Sequence, residues 1–147
     1  MRKFLDSNIF LYAYLKPRRK LTKKEEKMKK LAKDIISAIE KGTRVIMTVV
    51  HLSEVLNIIE NRLNLSHALK FLSSILSMDN VEILSVSIDD YKRALLIAEK
   101  LDVSPNDALA YIKMKETNIR EIFTFDKHFR KFTDIVVLPR PEEYEIK

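Results

Sequence analysis

Asp6 and Asp126 stand where short apolar runs end. The first follows Phe4-Leu5 and the second follows Ile122-Phe123-Thr124-Phe125. Glu54 and Asp107 stand near the starts of helical patterns, Glu54 after the β-rich run Arg44–Thr48 and Asp107 after the cap Ser104-Pro105. In an open parallel sheet a ligand binds beyond the carboxyl ends of the strands, and a helix that follows its strand in a right-handed crossover begins on that edge. The rule covers Asp6, Glu54 and Asp126, whereas Asp107 does not directly follow a strand. Four carboxylates meeting in a partly desolvated cleft repel one another strongly. A divalent cation resolves the repulsion, and an all-oxygen donor set suits Mg²⁺ or Mn²⁺. Such an ion activates water, polarises a phosphate and stabilises a leaving oxygen. On a chain of net charge +6, which favours polyanionic partners, this chemistry is phosphodiester hydrolysis.

Each acid also has a structural role open to it. Asp6 fits the cap region of the helix that follows it, and Asp126 fits the cap of a short helix through Lys127–Lys131. Ser104 with Asp107 three residues on is a capping-box pattern. A helical wheel sets Glu54 nearly opposite the stripe Leu52, Leu56, Ile59 and Leu63, so the wheel alone makes it a solvated surface residue.

The elements that must position these acids alternate along the chain. Short strands are expected at 3–7, 44–48, 81–86, 121–125 and 134–138. Helices are expected after Ser7, from Thr22 to Lys41 with Gly42 as its stop, from Thr48 through Leu63, at 66–78, from Ser87 to Leu101, and from Ser104 to Glu116. Ser87 with Asp90 reads as a capping box, and Pro105 fits the first helical position. This alternation predicts a three-layer α/β domain, residues 1–147, with a doubly wound, mostly parallel sheet flanked by helices. The apolar runs Ile9–Leu15 and Leu109–Met114 are expected in the core or at a dimer interface.

Composition removes several alternatives. The 147 residues include no cysteine and one glycine. Thiol chemistry and zinc-thiolate sites are therefore excluded, as is any glycine-rich phosphate loop. His51 and His67 lack the spacing of a zinc enzyme and read as ordinary helix residues. No serine sits in a nucleophile elbow. With no secretory signal and no membrane-length apolar run, a soluble cytoplasmic protein is expected. The lysine-rich stretch Lys20–Lys33 reads either as a solvated helix face or as a rim that binds nucleic-acid backbone. Lys16, Arg18, Arg19 and Lys20 are the candidate RNA contacts.

Four segments, FLDSNIF, SEVLNI, PNDALAYI and FTFDKHF, occur in this order. Together they give the chain a resemblance to PIN-domain nucleases, in particular the VapC toxin type, from Asp6 to His128. The resemblance implies a doubly wound parallel sheet, a homodimer, and an Mg²⁺- or Mn²⁺-dependent endoribonuclease. It further implies that a small antitoxin protein blocks the acidic cleft in toxin–antitoxin members. Asp6, Glu54, Asp107 and Asp126 match the family's catalytic and metal-binding acids, while Asn8 and Thr124 match supporting polar positions. His128 departs from the pattern, because many members carry a further acid there. That departure keeps open a degenerate member that binds RNA or protein without cutting. A different phosphoryl enzyme on a similar sheet is the other alternative.

Overall fold

Alternation along the strands sets the layers. In a computed structural model describing residues 1–145, Leu5, Val45, Met47 and Val81 face one apolar cluster, while Phe4, Ile46 and Ile122 face another. Strands buried on both sides in this way read as near-continuous apolar runs, which is what a parallel sheet between two helical layers requires. The strands are β1 Lys3–Leu5, β2 Val45–Thr48, β3 Val81–Leu84, β4 Glu121–Phe123 and β5 Val136–Leu138. They form one sheet in the order β3-β2-β1-β4-β5, and every pairing is parallel.

Four helices cover the first face: α1 Ser7–Tyr14, α2 Lys23–Glu40, α3 Val49–Arg62 and α4 Leu65–Leu76. Two cover the second: α5 Ile88–Leu101 and α6 Pro105–Glu116. Local chemistry explains their starts. Thr22 with Glu25 and Ser87 with Asp90 close capping boxes, and Ser104 accepts the Asp107 N–H just before Pro105. Gly42, at φ +116°, follows α2, where a residue with a Cβ would be strained.

The strand order decides where a ligand can sit. The chain runs from β1 outward through β2 to β3, then returns to place β4 and β5 on the other side of β1. The reversal lies between β1 and β4, and a crevice opens beyond their carboxyl ends. Phe4 pairs with Ile122 and Leu5 with Phe123, so Asp6 and Thr124 emerge side by side.

Two buried lysines fix the helices that border this crevice. Lys29 of α2 donates to the carbonyl oxygens of Tyr12, Ala13 and Leu15 at 3.0–3.1 Å, satisfying the end of α1. Lys113 of α6 lies 2.9 Å from Asp90 of α5 and 3.1 Å from Glu116. The Ser87 N–H, Lys113 and Arg93 hold the Asp90 carboxyl far below its ordinary range. A depressed folded-state pKa stabilises above the unfolded value, near pH 4, and that stabilisation is lost as pH falls. Asp90→Asn should therefore cost about 2 kcal/mol at pH 7, because Lys113 is left with Glu116 alone. The gap between variant and parent should shrink below about pH 4. Urea melts at pH 7 and pH 3 check this, and an equal gap at both would rule the pair out as its cause.

Candidate active site

Asp6 closes β1 and caps α1. One carboxylate oxygen accepts the Ser7 N–H at 2.8 Å and the other accepts the Thr124 hydroxyl at 2.7 Å. Its side chain is buried. Burial pushes its pKa up to about 6 against those two hydrogen bonds, with the charges of Glu54 and Asp126 adding to the rise. Thr124, fully buried, also accepts the Asp126 N–H at 3.0 Å. One hydroxyl thus ties the ends of β1 and β4 together. Asn8 braces the same turn, its Oδ1 accepting the Phe125 N–H at 3.3 Å and lying 3.4 Å from the Thr124 hydroxyl.

Asp126 caps a short 3-10 helix, Lys127–Lys131. Its Oδ1 lies 2.8 Å from both the backbone nitrogen and Nδ1 of His128. Asp107 occupies the first turn of α6. Burial, then the nearby charges of Asp126 and Asp6, push its carboxyl well above the usual carboxylate range. Glu54 comes in from α3, half-buried, with its pKa raised by burial and partly restored by the Asn106 side chain.

All four acids line one open cleft of about 440 Å³, with Ser7, Asn8, Ser104, Pro105 and Asn106 completing the wall. The topology thus brings Asp107 to the same edge as the others, although no strand immediately precedes its helix. Three readings of individual residues are corrected. The wheel placed Glu54 in solvent, yet α3 buries two sides. Leu52, Val55 and Ile59 pack into the core beside α1, and His51 and Glu54 lie on the side towards β1 and α6. Leu63, counted in the expected stripe, is exposed. The Ser104–Asp107 capping box is half-formed: Ser104 accepts the Asp107 N–H, while the Asp107 carboxylate turns to the cleft. The candidate RNA contacts Lys16, Arg18, Arg19 and Lys20 lie outside the cleft wall. They lie between α1 and α2, where Lys16 borders a separate groove with Ile58 and Arg62, and both terminal nitrogens of Arg19 bind Glu25 at 2.7 and 2.9 Å. Among the described residues no lysine or arginine lines the acidic cleft.

Two contributors escaped the sequence reading. His51 is a buried support beneath the site. Its Nδ1 is 2.7 Å from the Thr48 hydroxyl, and its ring packs edge-on against Phe4. Burial lowers its pKa to about 4, so the imidazole is neutral near pH 7 and its 4.0 Å approach to Asp6 is not an ion pair. The Thr-x-x-His spacing at the start of α3 was the available signal. Asn106 accepts the Tyr91 hydroxyl at 3.0 Å and faces Glu54. Nothing in the sequence except its place beside Asp107 marked it.

The donors fit a divalent cation. The cleft is acid-lined, several of its carboxyls are driven towards their protonated forms, and one ligand atom each from Asp107, Asp126 and His128 lie within 4.8 Å of one another.

A parallel sheet with acids gathered at its switch point defines a class, and the sequence profile of the PIN domain matches residues 3–135. The chain belongs to the PIN-domain family. Solved VapC proteins share its fold. VapC20 of Mycobacterium tuberculosis, described as a sarcin-ricin loop cleaving toxin, matches with a TM-score of 0.70 and 19% identity, over 90% of this chain and 95% of its own. VapBC2 of Rickettsia felis, solved with a DNA fragment from its promoter, gives 0.63 and 17% over 93% and 97%. VapBC-1 of nontypeable Haemophilus influenzae gives 0.61 and 19% over 93% and 96%. Comparison by sequence with curated proteins yields no match.

The raised carboxyl pKa values make the metal-free fold pay for its own site. A raised folded-state value stabilises at low pH, and that contribution is lost as pH rises through it, here through about 6 for Asp6 and higher for Asp107. In EDTA at pH 8, Asp107→Asn should raise the melting temperature, by about 3 °C for each kcal/mol of repulsion relieved. The gain should vanish at pH 4. Calorimetry at both values checks it, and a lower melting temperature at pH 8 would contradict the repulsion.

Proposed function

We propose that this protein is a divalent-metal-dependent endoribonuclease and the toxin of a toxin–antitoxin pair. The observation that carries this reading is the convergence of Asp6, Glu54, Asp107 and Asp126 in one cleft whose burial and mutual repulsion favour a cation. Asp6, Asp107 and Asp126 would hold Mg²⁺ or Mn²⁺. The ion, when bound, supplies Lewis-acid polarisation of a phosphate and a more acidic water. Glu54, its carboxyl raised by burial, would orient that water or take its proton. Thr124, Asn8 and Asn106 fix the acids and need not touch substrate.

Purified protein incubated with mixed RNA in Mg²⁺, Mn²⁺ or EDTA tests this reading. Cutting should require metal and fall by more than about 100-fold in Asp6→Asn and in Asp126→Asn. Single-stranded DNA and a small phosphate ester, run in parallel, separate a ribonuclease from other phosphoryl enzymes. Binding of RNA with no cutting in any metal would favour the degenerate reading that His128 raises.

The partners follow from the same reading. The solved VapBC neighbours and a toxin–antitoxin complex from Klebsiella pneumoniae support a small antitoxin protein as the inhibitor. No helix among the described residues is long and apolar enough to cross a membrane, which is compatible with action on RNA in the cytoplasm. A second copy of the chain is the other partner. α5 exposes Ile88, Leu95 and Leu96. In an antiparallel pairing centred between Leu95 and Leu96, Lys92 of one copy meets Glu99 of the other, and the converse contact closes the two-fold. Light scattering should show a dimer that Leu96→Glu converts to monomer, and a dimer unaffected by that change would place the interface elsewhere.

A further inference from the structure

His128 is the point at which this chain departs from an all-oxygen site, and it is held tightly. It follows Asp126 by two residues on the turn that leaves β4, and both its backbone nitrogen and its Nδ1 lie 2.8 Å from Asp126 Oδ1. We propose that His128 is a nitrogen ligand of the divalent ion in this cleft, joining Asp107 and Asp126 and shifting the site's preference from Mg²⁺ towards Mn²⁺ and later transition ions. The inference rests on the metal-dependent reading above.

Three observations support it. First, one donor atom from each of the three residues lies within 4.8 Å of the others. Two ligands of one ion are at most about 4.2 Å apart, so closing this set needs a shift of well under 1 Å. Second, the imidazole is placed by backbone geometry rather than by a long flexible side chain, because Asp126 caps the very turn that carries it. With Nδ1 turned to Asp126, Nε2 is the nitrogen left to ligate. A metal-bound histidine commonly donates its other ring N–H to a carboxylate, which fixes tautomer and orientation. Third, the His128 side chain is 60% exposed and that of Asp126 27%, so water can reach the site to fill remaining coordination positions. Imidazole suits transition ions, whereas Mg²⁺ is held by carboxylates and water. Exchanging a carboxylate for an imidazole therefore changes which ion is favoured without emptying the site.

A purely positioning histidine would affect all ions alike, and that separates the two roles. Calorimetric titration of the parent protein, His128→Ala, His128→Asp and Asp107→Asn with Mg²⁺, Mn²⁺ and Ni²⁺ decides between them, with circular dichroism confirming that each variant is folded. His128→Ala should weaken Mn²⁺ and Ni²⁺ by about 10-fold or more and Mg²⁺ by less than about threefold. His128→Asp should strengthen Mg²⁺ relative to Ni²⁺. Pulsed EPR of the Mn²⁺ complex should show nitrogen coupling that His128→Ala removes. Equal losses for all three ions, or no loss and no nitrogen coupling, would overturn the ligand assignment. If Asp107→Asn still abolishes binding in that case, the metal-dependent reading stands without it. If the parent protein binds none of the three ions, both fall together.

Discussion

Carboxylates that repel one another stay in one cleft only if something other than their own charge holds them. Here the backbone's capping requirements do. Asp6 satisfies the start of α1 and Asp126 satisfies the start of the 3-10 helix. Asp107 lies in the first turn of α6, where exposed N–H groups and the helix dipole favour a negative group. Each of these three acids is held by local structure the fold needs anyway, and Thr124 joins Asp6 and Asp126 across the sheet. The doubly wound order then does the rest, since it directs the ends of β1 and β4 into the same crevice.

Much of this was legible in the sequence because the decisive signals are local. Apolar runs ending in Asp6 and Asp126 marked strand ends, and Ser104-Pro105 marked the start of α6. Thr22, Ser87 and Gly42 marked helix limits that the structure reproduces within a residue or two. Whether each strand pairs in parallel is not local, and the expected mostly parallel sheet is wholly parallel. Strand length was also misjudged for a physical reason. The expected strand 121–125 stops at Phe123 because the N–H groups of Phe125 and Asp126 are taken by the side chains of Asn8 and Thr124. The site shortens the strand that carries it.

Glu54 shows the limit of a helical wheel, which assumes one buried face. α3 packs beside α1 on one side and beside β1 and α6 on another, so a polar residue off the apolar stripe can still be enclosed. Asn106 was missed on similar grounds, since its partners Tyr91 and Glu54 lie on other helices. His51 was missed because its Thr48 contact is local but its burial against Phe4 is not. The contacts to Phe4, Tyr91 and Glu54 form only when α3, α5 and α6 are docked. The net charge of +6 was read as favouring polyanionic partners, and the lysine-rich stretch Lys20–Lys33 as a solvated face or a backbone-binding rim. Arg19 is paired with Glu25, and the cleft wall carries only acids and neutral groups among the described residues. An excess of positive charge says which partners are attracted and not where they are received.

The end of α1 has a consequence for how the molecule assembles. At eight residues, α1 is too short to persist on its own in water. Its final carbonyls are satisfied by Lys29, which arrives only when α2 packs alongside. Asp6 and Asn8 therefore acquire fixed positions after the layer above them has formed. A nascent chain emerging N-terminus first carries Asp6 long before it possesses a site, because Thr124 and Asp126 come from the far end of the sequence.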